Sequence, residues 1–367
     1  MIAWLGSGII VKHRAPNPQP RVSQFSRCDP GKSRGRKTDV TSGSGWLDEI
    51  IIMNTKKLIF FGTSDFSVPA LKALATAGYE ISLVVTTPDE PVGRKQLLTP
   101  PPIKTMADSL GLRAIQPKSL KKDLTIVDSL SALSPDFAVV ASYGKIIPQA
   151  IIDLFPQGMI NIHPSLLPKY RGPSPIQSVL LNGEKETGVC IIQLDAEVDH
   201  GAIIARQELG IMNNESCIEL SERLAKVGAD LLIKALPGYL SGDTKPQEQD
   251  HTQATFTKKF TSEDGKIDWQ KSAEEINNQI RALNPEPGTF CLLNDEVLKI
   301  IRAIISSEPT GDSLVGSLLQ QDKKLLAVTG NGILEILELQ PAGKKPMSAQ
   351  DFTNGYRESW PIRCYNF

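Results

Sequence analysis

The sequence has 367 residues, of which 40% are hydrophobic and 22% are charged; this composition excludes a disordered or fibrous chain, and the length leaves room for two domains. The sequence has 40 Lys and Arg residues and 41 Asp and Glu residues, which gives a formal net charge of −1. The overall charge therefore does not indicate a polyanionic partner, although a local basic face could still bind one. No apolar run approaches the roughly 20 residues of a membrane-spanning helix, so we expect no membrane function.

Cysteine and histidine are scarce, with 5 and 4 residues. An odd number of cysteines without a CxxC pair argues against a disulfide framework and against a cysteine-rich zinc site. The sequence also lacks HExxH or a comparable pair of histidine ligands. We therefore expect no metal.

Residues 1–52 differ from the rest of the chain. They contain eight Lys and Arg residues against four acidic residues, of which Asp29 is the first. A basic segment with an acid-free front is typical of an organellar transit peptide. Alternatively, translation starts at Met53, which leads straight into an apolar strand, and the extension is disordered or spurious; we favour this second interpretation. In both cases residues 1–52 are expected to lie outside the fold.

From residue 57 onward, short apolar strands alternate with helices. The predicted strands are 58–61, 81–85, 137–142 and 158–163, and the predicted helices are 67–77, 103–110 and 148–154. Residues 88–102 contain five prolines, too many for regular structure. Continuous apolar strands separated by helices predict an α/β domain over residues 53–236, with a doubly wound, mostly parallel, Rossmann-like sheet.

A linker and a second domain are predicted after residue 236. Residues 237–256 begin with Pro237 and Gly238 and hold few apolar residues, which is typical of a linker. Over 257–362, a helix at 273–283 is followed by short strands at 288–293, 297–305, 316–319, 325–329 and 333–339. Several short strands with turn residues between them predict a small OB-like β-barrel.

Asn161 and His163 are the first candidate functional residues. They lie two residues apart at the end of an apolar strand, so their side chains share one face, at the edge where open α/β sheets bind ligands. An amide donor beside an imidazole suits acyl transfer, because the amide can stabilise an oxyanion and the imidazole can move a proton. Alternatively, both side chains could merely hydrogen-bond the proline-rich loop that follows.

Residues 195–201 (DAEVDHG) form a polar turn after the strand at 189–194 and could supply a carboxylate to His163. The pattern does not decide which carboxylate points inward, and Asp and Gly are also ordinary turn residues. The sequence lacks the GxGxxG, GxSxG and GxxxxGK[ST] motifs. Their absence argues against a dinucleotide-binding dehydrogenase, a GxSxG hydrolase and a P-loop NTPase, respectively.

Together, these segments resemble the formyltransferase family that uses 10-formyltetrahydrofolate. The matching segments of the first domain are 60–66 (FFGTSDF), 142–148 (SYGKIIP), 161–173 (NIHPSLLPKYRGP) and 195–201. In the second domain, residues 266–269 (KIDW), 280–285 (IRALNP) and 339–351 (LQPAGKKPMSAQD) resemble the members that formylate methionyl-initiator-tRNA. The likeness covers about residues 53–360 and raises Asn161 and His163 above a merely structural role.

The resemblance implies a role for three groups of residues. The catalytic group is Asn161, His163 and Asp199. The folate-contacting group is Ser165, Leu166, Leu167 and Pro168. The tRNA-contacting group is Arg94, within residues 88–102, together with Lys344 and Lys345, whose pairing in the sequence suits phosphate contacts as well.

The implied reaction moves the formyl group of 10-formyltetrahydrofolate, a co-substrate, to the α-amine of methionyl-initiator-tRNA. We expect a cytoplasmic monomer without a metal, or a mitochondrial or plastid protein if residues 1–52 are a transit peptide. Four alternatives remain: a glycinamide ribonucleotide formyltransferase, a sugar-nucleotide formyltransferase, a catalytically silent tRNA-binding protein, and a folate-dependent hydrolase or dehydrogenase relative, against which the lack of an aldehyde-dehydrogenase-sized region argues. The second-domain segments argue against the first two, and the intact Asn161, His163 and Asp199 argue against the third.

Overall fold

The computed structural model describes residues 56–93, 95–122, 125–309, 313–356 and 360–365. The expectations for residues 1–52 and for Arg94 lie outside these described residues. Within them, no helix is long and apolar enough to cross a membrane.

A seven-stranded sheet forms the centre of the first half of the chain. Its strands are β1 (Lys57–Gly62), β2 (Glu80–Val85), β5 (Ala114–Ile115), β6 (Phe137–Ala141), β7 (Met159–His163), β8 (Glu186–Gln193) and β9 (Ile203–Gly210). They lie in the order β5-β2-β1-β6-β7-β8-β9. The first five are parallel, whereas β8 and β9 run antiparallel, so the predicted mostly parallel sheet is confirmed.

Helices cover both faces of this sheet. They are α1 (Val68–Thr76), α2 (Pro102–Ser109), α3 (Thr125–Ser131), α4 (Gln149–Ile152), α5 (Pro175–Leu181) and α6 (Cys217–Ser241). Alternate residues of β1 belong to different hydrophobic cores: Phe60 packs with the core that includes α1 and α6, and Phe61 with the core that includes α3. Because both faces of the strands are buried, the strands are apolar throughout.

Two local expectations were wrong. Residues 88–102 contain a hairpin, β3 (Glu90–Val92) with β4 (Leu97–Thr99), which tolerates Pro91 because a two-stranded ribbon leaves one edge of each strand free. The helix α6 continues through Pro237 to Ser241, where Gly242 ends it at φ +86°, so the first residues of the predicted linker are helical. Leu236 and Leu240 are buried in the core, and this packing outweighs the interior proline.

The second half of the chain forms an antiparallel β-barrel. Its strands are β10 (Phe290–Leu293), β11 (Glu296–Ser306), β12 (Ser317–Gln321), β13 (Lys324–Val328), β14 (Ile333–Pro341) and β16 (Ile362–Tyr365), with β15 (Met347–Ser348) added beside β14. Pairing of β11 with β14 closes six strands into the barrel, which confirms the predicted barrel. The helix α8 (Ala349–Gly355) and the strands β15 and β16 were not predicted.

The helix α7 (Ala273–Leu283) joins the two halves. Its Ile276 and Ile280 pack into the barrel core, whereas Ala282 and Leu283 pack into a core of the sheet domain. Arg281 donates hydrogen bonds to the carbonyls of Leu180 (3.3 Å) and Glu215 (3.4 Å). The helix α7 therefore contributes to fixing the barrel against the sheet domain.

Candidate active site

Asn161 and His163 lie at the carboxyl end of β7, as the two-residue period predicts. The strand pairs with β6 on one side and β8 on the other, which fixes the register of both residues. Asn161 is 9% exposed and His163 is 4% exposed. A buried amide and a buried imidazole therefore share one edge of the sheet, next to the proline-rich loop.

Asp199 reaches these two side chains from the loop between β8 and β9. Its Oδ1 lies 3.3 Å from Asn161 Nδ2, which donates to it, and 3.5 Å from His163 Nδ1. Its Oδ2 accepts a hydrogen bond of 2.8 Å from the Gly172 N–H. Residues far apart in the sequence thus meet around a single carboxylate, which the resemblance implied but the spacing alone did not decide.

A backbone carbonyl selects the tautomer of His163. The ring Nε2 lies 3.0 Å from the Tyr170 carbonyl oxygen. Because a carbonyl can only accept, Nε2 must carry the hydrogen. In the neutral ring, Nδ1 is then the basic nitrogen, and it faces Asp199.

Asn161, His163 and Asp199 line one wall of a cavity of about 280 Å³. The other walls come mainly from the end of β6, the loops that follow β6 and β8, and the start of α5; they include Tyr143 and Lys145. Burial raises the pKa of the Tyr143 phenol, and its buried hydroxyl has no hydrogen-bond partner within the described part of the chain. A largely apolar cavity with a few convergent polar groups suits a small organic ligand.

Lys145 connects this cavity to a neighbouring loop. Its Nζ donates to the carbonyls of Pro117 (2.7 Å) and Lys118 (2.9 Å). Burial lowers its pKa, and the nearby Glu90 acts in the opposite direction.

Residues 165–168 do not line this cavity, whose lining runs to Pro164 and resumes at Gly172. Ser165 is fully buried, and its hydroxyl donates to the Lys169 carbonyl at 2.7 Å. Leu167 packs against Cys190 and Ile192 in a small core. The side chains of Ser165 and Leu167 therefore stabilise the loop itself, rather than face the cavity.

Of the three pairs of adjacent lysines in the described barrel domain (258–259, 323–324 and 344–345), only 344–345 has no member in an ion pair with a described residue. Lys258 pairs with Asp264, and Lys324 pairs with Glu308 and Glu335. Lys344 and Lys345 are exposed and form no ion pair with any described residue. Among the described residues, no group of three or more His, Cys, Asp or Glu side chains is placed so that it could hold a metal ion.

The sequence did not predict the side-chain contacts that hold the backbone of Asp199. The side chain of Gln249, from the segment that connects the two domains, donates to the backbone carbonyls of Asp199 and Gly201. Arg171 donates in turn to Gln249. Arg171 lies within the segment that resembles the family, whereas Gln249 follows Asp199 by fifty residues and belongs to no motif that we recognised.

Comparison with known proteins identifies both halves of the chain. Residues 56–236 match the family model described as formyl transferase, and residues 259–357 match its C-terminal domain. The methionyl-tRNA formyltransferase of Chloroflexus aurantiacus is 42% identical over 82% of this chain and 96% of its own length. That of Macrococcus caseolyticus is 41% identical over 82% of this chain and 95% of its own length.

Solved structures share the fold. HypX from Aquifex aeolicus in complex with tetrahydrofolic acid is 17% identical, with a TM-score of 0.59, and the match covers 85% of this chain and 51% of HypX. An N-formyltransferase from Helicobacter canadensis, in complex with folinic acid and dTDP-3-aminofucose, is 20% identical, with a TM-score of 0.57, and the match covers 77% and 98% of the two chains. At these identities the likeness concerns the fold alone.

Proposed function

The chain belongs to the formyl transferase family and, within it, to the methionyl-tRNA formyltransferases, and we propose that it transfers the formyl group of 10-formyltetrahydrofolate to the α-amine of methionyl-initiator-tRNA. The observation that carries this proposal is the convergence of Asn161 and His163 on Asp199 at the wall of an apolar cavity. The product is N-formylmethionyl-tRNA, which is used to initiate translation.

The attacking group is the neutral α-amine of the esterified methionine. Such amines titrate near pH 7.7–8.0 in peptides, so a large fraction is already neutral near pH 7.5. Attack on the formyl carbon forms a carbon–nitrogen bond and places negative charge on the formyl oxygen. Asn161 Nδ2 carries two hydrogens, one of which is directed to Asp199, and the other is free to donate to that oxyanion.

His163 accepts the proton that the amine loses. Its Nδ1 is the basic nitrogen, because Nε2 donates to the Tyr170 carbonyl. Asp199, 3.5 Å away, stabilises the imidazolium that forms. The bond between the formyl carbon and N10 of the folate then breaks, and the proton passes to N10, so that the histidine and the carboxylate return to their starting states.

Contacts with the two substrates follow from the resemblance and from surface charge. Residues 165–168 would contact folate through backbone groups, since the side chains of Ser165 and Leu167 are buried. Lys344 and Lys345 offer free positive charge to RNA phosphates. Arg94 stays a predicted tRNA contact.

The catalytic group comes from one chain, so the site needs no second copy, and we expect a monomer. The reaction as written needs no metal. The cytoplasmic location and the organellar alternative both depend on residues 1–52 and stay predictions.

The test is a formylation assay with 10-formyltetrahydrofolate in which three acceptors are offered in parallel: methionyl-initiator-tRNA, glycinamide ribonucleotide and a dTDP-amino sugar. We expect the formyl group on methionyl-tRNA. Asn161→Ala should lower the rate by about 10²–10³, and His163→Ala by about 10²–10⁴, in single-turnover kinetics with folding confirmed by circular dichroism. Exclusive formylation of either other acceptor, or rates near wild type for both variants, would contradict the proposal.

A further inference from the structure

The segment that connects the two domains contributes a buried side chain to the surroundings of the active site. Gln249 is 6% exposed, although its neighbours Glu248 and Asp250 are both exposed. The segment also pairs with the sheet domain, because the backbone of Gln247 exchanges two hydrogen bonds with that of Ile203. The buried position of Gln249 is therefore fixed from both the backbone and the side chain.

Every hydrogen-bonding group of the Gln249 side-chain amide has a partner, and these partners allow only one orientation of the amide. Its Nε2 donates to the Asp199 carbonyl (2.9 Å) and to the Gly201 carbonyl (2.7 Å). Its Oε1 accepts from Nε (3.2 Å) and Nη2 (2.7 Å) of Arg171. Carbonyls only accept and a guanidinium only donates, so a flipped amide would lose all four contacts.

Arg171 connects this amide to the other side of Asp199. It is 3% exposed and has no carboxylate within ion-pair distance among the described residues. Its Nη2 also donates to His251 Nδ1 at 2.8 Å, and its backbone pairs with Thr255 and Thr257. A buried charge without a carboxylate partner depends on such neutral acceptors, because losing them leaves the charge unpaired.

The contacts close into a ring around Asp199. Gly172, which follows Arg171 in the sequence, donates its N–H to the Asp199 carboxylate, while Gln249 holds the Asp199 backbone carbonyl. Asp199 adopts the left-handed φ of +48°, a conformation that a non-glycine residue keeps only where its surroundings impose it. The ring supplies that constraint.

We propose that Gln249 and Arg171 are positioning residues that hold the Asp199 carboxylate against Asn161 and His163, so that the connecting segment is part of the catalytic apparatus. The proposal rests on the function proposed above, and specifically on the role of Asp199 there. Neither residue touches the substrate in this scheme. Both act on the reaction through the position of one carboxylate.

The test is Gln249→Glu in the full chain. A carboxylate keeps the acceptor for Arg171 but places an oxygen where Nε2 stood, against the carbonyls of Asp199 and Gly201. A displacement of about 1 Å can cost on the order of 10² in rate, so we expect a loss of that size in kcat, with little change in the KM of either substrate. Gln320→Glu is the matched control: the same substitution at an exposed side chain of β12, in the barrel, should leave kcat unchanged.

A double-mutant cycle with Asp199→Asn separates positioning from general damage. If Gln249 acts through Asp199, Gln249→Glu should cost almost nothing further in the Asp199→Asn background. An equal loss in both backgrounds would overturn the proposal, as would a kcat near wild type for Gln249→Glu. If Gln249→Glu does not fold, Gln249→Met, which adds no charge, takes its place in the same cycle with the same criteria.

Failure of the proposed function would look different. It would show as no formyl transfer by the wild-type protein, or as full activity of Asp199→Asn, whatever the Gln249 variants do. Wild-type transfer, an impaired Asp199→Asn and an unimpaired Gln249→Glu would leave the proposed function intact and remove only the positioning role.

Discussion

At the scale of single residues, the candidate site depends on the carboxylate of Asp199, whose two oxygens have different partners. Oδ2 of Asp199 is held by the Gly172 N–H, which leaves Oδ1 facing Asn161 and His163. The carboxylate therefore orients the amide that is proposed to bind the oxyanion, and it also faces the nitrogen that is proposed to take the proton. Both proposed catalytic functions depend on its acceptor character.

Asp199→Asn tests this dependence without a change of shape. The amide oxygen can keep the hydrogen bond from Gly172, which turns its NH₂ toward Asn161 and His163. That NH₂ cannot accept from Asn161, and it donates to His163 Nδ1 and occupies the lone pair that should take the proton. We expect kcat to fall by about 10²–10⁴, with a smaller change in KM, measured in steady-state formylation assays.

The control for this substitution is Asp230→Asn, at an exposed position of α6. It makes the same chemical change away from the cavity and should leave kcat unaltered. A kcat of Asp199→Asn within a few-fold of this control would show that the carboxylate has no catalytic role.

At the scale of elements, the sequence predicted β7 and α7 correctly because the spacing of their apolar residues matches the faces that are buried in the structure. Asn161 and His163 could be assigned to one face for the same reason, while the choice of Asp199 needed the resemblance: Asp195 lies in the same turn but pairs with His200 at 2.6 Å. The continuation of α6 past Pro237 could not be predicted, since it depends on distant partners; Tyr239, for example, donates to the Gln157 carbonyl. Gln249 was missed for the same reason.

Close packing of α6 against β7 gives a prediction at this scale. A Cβ on Gly228 of α6 would lie 2.8 Å from Cγ2 of Ile162, which sits between Asn161 and His163 in β7. Gly228→Ala should therefore destabilise the protein by about 1–3 kcal/mol through overpacking and should also lower kcat, because β7 must move. Urea denaturation and the formylation assay measure the two effects.

Gly355→Ala is the comparison, because a Cβ there meets no atom within 4 Å at the end of α8. It should leave stability unchanged or slightly raised, since alanine favours a helix more than glycine does. Equal stability of Gly228→Ala and the wild type would mean that α6 does not constrain β7.

At the scale of the whole molecule, the two domains are held in one arrangement by groups that are costly to expose. Arg281 is half-buried between them, and burial lowers its pKa, while the carboxylates of Glu215 and Glu274 act in the opposite direction. The connecting segment adds the contacts of Gln249 with the sheet domain. The barrel surface is consequently held at a fixed position relative to the cavity. An enzyme that binds a large RNA on the barrel and modifies one end of it in the cavity would require such an arrangement.

Recognition of RNA by this barrel should depend on free positive charge, and the structure distinguishes free lysines from neutralised ones. Lys344 and Lys345 have no described ion-pair partner, whereas Lys324 lies 2.9 Å from Glu308 and 3.4 Å from Glu335. Phosphate contacts release counterions, so each lost contact should reduce the slope of log affinity against log salt by about 0.7–0.9. We expect Lys344→Ala/Lys345→Ala to weaken methionyl-tRNA binding and flatten that slope, and Lys324→Ala to leave it unchanged, in filter-binding titrations over a series of salt concentrations. A salt-independent affinity of the wild type would exclude phosphate contacts from the interface altogether, and equal slopes for the double variant and the wild type would move the contacts to another part of the surface.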